Sequence, residues 1–214
     1  MNADAATRSS SRVSWRATTS LGLVALAAVV FVAVAALPYY LSSSYGPPEY
    51  ASRRGWLLLH ISGGLVALLT GPVQLWLGFA DRGMLWHRRM GTAYVAAVGI
   101  GALGGYYMAL NTDGGLLFGL SLASLATAWI ATTGMAFLAI KRSLIEQHKE
   151  WMIRSYVVTF AFVTFRILFP IVQANDIGSS LPDQLAVAGW LCWTLPLLGT
   201  EVVLQGRKIL RVRA

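Results

Sequence analysis

The sequence predicts an all-α integral membrane bundle of six transmembrane helices with both termini in the cytoplasm. Three observations carry this. Six apolar runs follow one another along the 214 residues, each near or above the roughly 20 residues that cross a bilayer core about 30 Å thick. Charged residues make up 12% of the chain and hydrophobic ones 56%, whereas soluble domains are about a quarter charged. Fourteen of the 17 Lys and Arg fall on one side of the runs.

Residues 1–20, rich in Ser, Ala and Arg, read as a disordered cytoplasmic tail. The first run, Leu21 to Leu41, is uncharged. Arg8, Arg12 and Arg16 precede it and Ala33-Val34-Ala35 resembles a cleavage site. The run is nevertheless longer than the about 7–15 apolar residues of a signal peptide, so it reads as an uncleaved helix. The second run, Trp56 to Ala80, has His60 as its only titratable group. His60, Gly64, Ala67, Gly71, Gln74 and Gly78 recur in it at steps of three and four and so share a face. Small residues there let helices approach closely. The two polar ones either bond across that seam or line a ligand face. Pro72 removes a backbone N–H and is expected to kink the helix.

The third run, Gly91 to Leu110, contains Gly99-Ile100-Gly101-Ala102-Leu103-Gly104. This matches G-x-G-x-x-G, but a dinucleotide site needs the motif between a strand and a helix. Inside an apolar run, Gly101 and Gly105 read as a helix-packing contact. The fourth run is Gly114 to Ile140 and the fifth Trp151 to Val172, with Arg166 inside it. The sixth is Leu185 to Leu204, with the lone Cys192, so neither an intramolecular disulfide nor a cysteine metal site is available. The transmembrane domain thus covers 21–206, followed by a basic cytoplasmic tail, 207–214. Helices are required because unpaired backbone cannot face lipid, and the alternation of a membrane barrel is absent.

The net charge of +8 would suit a nucleic-acid binder, but its placement says otherwise. Only Arg53 and Arg54 fall on the poorly charged side, with Asp113, Asp176 and Asp183 in its loops. The positive-inside rule then sets the orientation, and the basic face meets anionic lipid rather than nucleic acid.

His60 and Arg166 lie inside the runs toward their outer ends, about 7 Å and about 9 Å from the outer ends of their helices at helical rise, whereas Arg154 and Glu201 sit at the cytoplasmic ends of theirs. An intramembrane arginine is costly and faces the bundle interior, a ligand or a head group. His87 opens the third helix and His148 the fifth, each beside a tryptophan and arginines. Such residues anchor helices at interfaces. They also ligate haem iron and pair with propionates. Zinc fits less well, because the surroundings are basic and no histidine-carboxylate metalloprotease motif occurs. Neither a Ser-His-Asp ordering nor a phosphate loop is found.

At Gly71-Pro72-Val73-Gln74, His87-Arg88-Arg89-Met90-Gly91-Thr92-Ala93-Tyr94 and His148-Lys149-Glu150-Trp151-Met152-Ile153-Arg154-Ser155-Tyr156, continuing to Arg166 and Pro170, the chain resembles a bacterial family of predicted membrane proteins, domain-of-unknown-function family 2306. That resemblance implies a multi-pass inner-membrane protein and no activity. A more distant similarity is to haem-b membrane cytochromes of the b561 and ferric-reductase kind, which also carry His-Arg-x-x-Gly at a helix entry. Three histidines are one too few for two bis-histidine haems, so a single haem b is implied. Its ligands would be His87 and His148, with Arg88 and Arg154 near its propionates. His60, Gln74 and Arg166 would form an outer-half ligand or quinone pocket, and Met108 is a candidate partner for His60 on iron. The expected role is electron transfer or support of a redox enzyme, with a quinone or a redox protein as partner. The alternatives are a small-solute transporter and an assembly subunit of a membrane complex.

Overall fold

The structure, a computed structural model, describes residues 15–46 and 48–212. Among them it is all-helical. The tail expected over 1–20 divides. Residues 1–14 lie outside the described residues, whereas 15–20 already belong to the first helix.

The α-helices among the described residues are α1 (Trp15–Phe31), α2 (Pro38–Leu41), α3 (Arg54–Ala80), α4 (Met84–Leu110), α5 (Leu116–Lys141), α6 (Ile145–Thr159), α7 (Ala161–Ala174) and α8 (Leu181–Val212). Five stretches of the described residues are long and apolar enough to span a membrane: Thr18–Leu41, Arg54–Ala80, Met84–Leu110, Leu116–Lys141 and Leu181–Leu210. The fifth expected span, Trp151 to Val172, is a pair, α6 and α7, bent by 41°. The turn between them is Phe160 alone, whose N–H still bonds the Tyr156 carbonyl at 2.9 Å. In the first span a π-helical turn, Val32–Ala36, widens the helix just before Pro38, which has no N–H to give. The tail expected over 207–214 is helical as far as Val212, since α8 runs on past its apolar stretch.

The bundle carries small residues inside and large aliphatic ones outside. Ala67, Ala102, Ala136 and Ala188 are fully buried, while Leu69, Leu103, Leu138, Ile167 and Val202 are exposed. That distribution suits lipid as the surrounding solvent, where close packing rather than apolar burial holds helices together. α3 and α4 come closest. A Cβ on Gly63 would stand 2.5 Å from the Ala97 carbonyl oxygen, and one on Gly104 2.7 Å from the His60 nitrogen.

α3 runs unbroken through Pro72. Pro72 supplies no N–H to the carbonyl of Leu68, four residues back. The Tyr156 hydroxyl of α6 donates to that oxygen instead, at 3.1 Å. Gly71 provides the space, since a Cβ there would collide with the Tyr156 ring.

Candidate functional site

Two short turns set one end of the site. Between α3 and α4, Asp81 (φ +48°) and Gly83 (φ +59°) take the left-handed conformation, and Arg82 N–H closes onto Leu77 O at 3.2 Å. Between α5 and α6, Ser143 (φ +59°) does the same, with Leu144 N–H on Ala139 O at 2.9 Å. Helices that reverse this tightly start their successors side by side. His87, on the first turn of α4, and His148, on the first turn of α6, therefore meet. Their ring centroids are 6.3 Å apart and their planes 87° from parallel.

The surroundings orient both rings. His148 Nδ1 lies 2.9 Å from the Ala136 carbonyl oxygen. A carbonyl cannot donate, so Nδ1 carries a proton, and in the neutral ring Nε2 is the acceptor. The His87 ring lies against Gly78, where a Cβ would stand 3.2 Å from its Cε1. Among the described residues its buried Nδ1 has no hydrogen-bond partner. Gln74 Nε2 donates to the His87 backbone carbonyl at 2.8 Å and ties the start of α4 to α3.

Arg88 and Arg89 are exposed beside His87, and Arg89 lies 5.8 Å over the Trp86 ring. Arg154 is turned elsewhere. Its Nε and Nη2 reach Glu201 Oε2 at 2.8 and 2.7 Å, its Nη1 lies 3.5 Å from Glu150 Oε2, and its guanidinium covers Trp151 at 4.8 Å. Lys208 of α8 closes the cluster on Glu150 at 2.8 Å.

A buried hydroxyl cluster fills the middle of the bundle. Tyr94 Oη lies 2.8 Å from both Ser155 Oγ and Thr159 Oγ1. Thr133 Oγ1 lies 2.7 Å from Ser155 Oγ. Trp129 Nε1 donates to Thr159 Oγ1 at 2.7 Å. Sequence reasoning missed this group. Hydroxyls are common in membrane helices, and nothing in their spacing names a partner on another helix.

Beyond the cluster, away from His87, lies a cavity of about 210 Å³ lined by His60, Arg166, Met108, Trp129 and Phe162 among others. His60 Nδ1 bonds the Gly101 carbonyl oxygen at 2.7 Å, and its ring packs on Phe162 at 5.0 Å. Arg166 is exposed, and among the described residues it has no hydrogen-bond or ion-pair partner. His60, Arg166 and Met108 thus share a cavity. Gln74 does not join them: it stands 14 positions along α3 from His60, about 21 Å at helical rise, and serves His87.

The model of the DUF2306 family, described as a predicted membrane protein, matches residues 57–204. Neither a curated protein nor a solved structure matches the chain.

Proposed function

We propose, from the premise that the chain belongs to the DUF2306 family of predicted membrane proteins, that it binds one haem b through His87 and His148 and serves electron transfer or the support of a redox enzyme. In this reading it sits in the bacterial cytoplasmic membrane with both termini inside, by the charge asymmetry. The observation that carries it is the approach of two imidazoles from separate helices to 6.3 Å between centroids. Imidazole is a protein ligand of haem iron, so His87 and His148 are the two residues that would hold the group.

The donor set favours a porphyrin over a bare ion. Among the described residues no group of three His, Cys, Asp or Glu is placed to hold a metal. A zinc site takes three or four protein ligands, whereas a haem would be held by the two imidazoles alone. The bound haem would supply one-electron chemistry. The chain's part is orientation. Ala136 O fixes His148, Gln74 fixes the His87 backbone, and the exposed Arg88 and Arg89 are available to propionates. Arg154, engaged by two carboxylates, holds α6 to α8 instead. The remaining basic residues at this end suit anionic lipid head groups, and the electrons would pass to a redox protein or a lipid-soluble carrier.

The test is an absorption spectrum of the detergent-purified protein, oxidised and reduced. A Soret band that is lost in both His87→Ala and His148→Ala supports the reading. A protein without a Soret band even after haem loading overturns it.

A further inference from the structure

We propose that the cavity between His60 and Arg166 binds a lipid-soluble hydroquinone, a hydroxylated ring on an apolar tail. The inference stands on the cavity alone and does not need the haem.

The walls select a flat apolar body. Phe31, Phe118, Trp129, Phe162 and Phe165 all line the cavity, and aromatic side chains stack on rings of their own kind. Few polar groups interrupt them, as is usual where a small number of contacts orient a ligand.

Two of those groups dictate the ligand's oxygen chemistry. His60 gives its Nδ1 proton to Gly101 O, so in the neutral ring Nε2 is an acceptor. Among the described residues nothing donates to it, and the ligand must bring an O–H. Arg166 offers only donors. It lines the cavity and is also exposed, which puts it at the mouth. Ile167 and Ile171 beside it are exposed apolar side chains, so the mouth faces lipid. A cation at this depth is costly without a partner, and the ligand must bring an acceptor oxygen.

A fatty acid carboxylate would satisfy Arg166 and give His60 nothing. A hydroquinone satisfies both, because each of its hydroxyls donates and accepts. Its ring meets the aromatic wall and its tail can extend into the bilayer.

The experiment uses the full chain in nanodiscs incubated with decylubiquinol, desalted, extracted and quantified against empty nanodiscs. The expected result is retention near one per protein. It should fall roughly ten-fold in His60→Asn and Arg166→Gln, the scale of one lost hydrogen bond to a charged or buried group, and stay unchanged in lipid-facing Leu69→Ala. Asparagine keeps a donor for Gly101 O and deletes the Nε2 acceptor together with the ring that packs on Phe162. If His60→Asn does not fold, Arg166→Gln decides alone, since that side chain has no described protein partner to lose. Absent retention, retention of oleate in place of decylubiquinol, or unchanged retention in Arg166→Gln overturns the proposal. Extraction is read without a Soret band, so failure of the haem reading and failure of this one are separately visible.

Discussion

Tyr156→Phe tests whether the oxygen left open by Pro72 is satisfied from another helix. The substitution removes one hydroxyl and leaves the ring against Gly71. The Leu68 carbonyl, on a fully buried residue, then loses its 3.1 Å donor. Hydrogen bonds between membrane helices average about 0.6 kcal/mol and reach about 1.7, while a stranded buried acceptor costs about 1–3. The expected loss is therefore about 1 kcal/mol, or about five-fold in the folding equilibrium. The decisive measurement is a double-mutant cycle with Pro72→Ala, by reversible SDS unfolding followed by circular dichroism. Alanine restores a backbone N–H at position 72, which can close the ordinary helical bond to Leu68 O. In that background the cost of Tyr156→Phe should drop to a few tenths of a kcal/mol. Equal costs in the two backgrounds, additive to within about 0.3 kcal/mol, would refute the reasoning.

Three further outcomes follow from the packing. Gly63→Ala should destabilise by about 1–3 kcal/mol, because its Cβ meets the Ala97 backbone at 2.5 Å, while Gly99→Ala, which meets nothing within 4 Å, should be neutral or slightly stabilising in the same unfolding assay. Thr159→Val strands the Trp129 N–H and should cost about 1–2 kcal/mol, visible in thermal unfolding. Arg154→Ala should cost about 1–2 kcal/mol, less than a wholly buried pair because Glu201 is partly exposed. Arg154→Lys should not restore it, since one ammonium cannot reproduce a guanidinium that spans Glu201 and Glu150.

The spans are legible in the sequence because an uninterrupted apolar run is a direct physical requirement of the bilayer. The break at Phe160 is not, because neither Gly nor Pro stands there; Pro170 lies inside α7 instead. That His87 and His148 belong together is hinted at by their matching places at helix entries. Grouping Gln74 with His60 fails on length: a shared face says nothing about a shared depth. The Arg154–Glu201 ion pair is invisible because the two residues lie 47 positions apart, and sequence spacing carries no information about which helix packs against α6; only the Glu150 contact, four positions away on the same helix, has a spacing that could show it.

The exchange at Leu68 also bears on how the bundle assembles. α3 can enter the bilayer as a helix, but it enters with the Leu68 carbonyl short of the N–H that Pro72 cannot give. The arrival of α6 brings the tyrosine that bonds a residue synthesised 88 positions earlier. Secondary structure in α3 is therefore finished by tertiary contact. A chain cut between α5 and α6 would leave the first half with an open bond in the membrane until the second half docks, so Tyr156→Phe in the second half should weaken the association of the two halves by about five-fold, the same scale as about 1 kcal/mol.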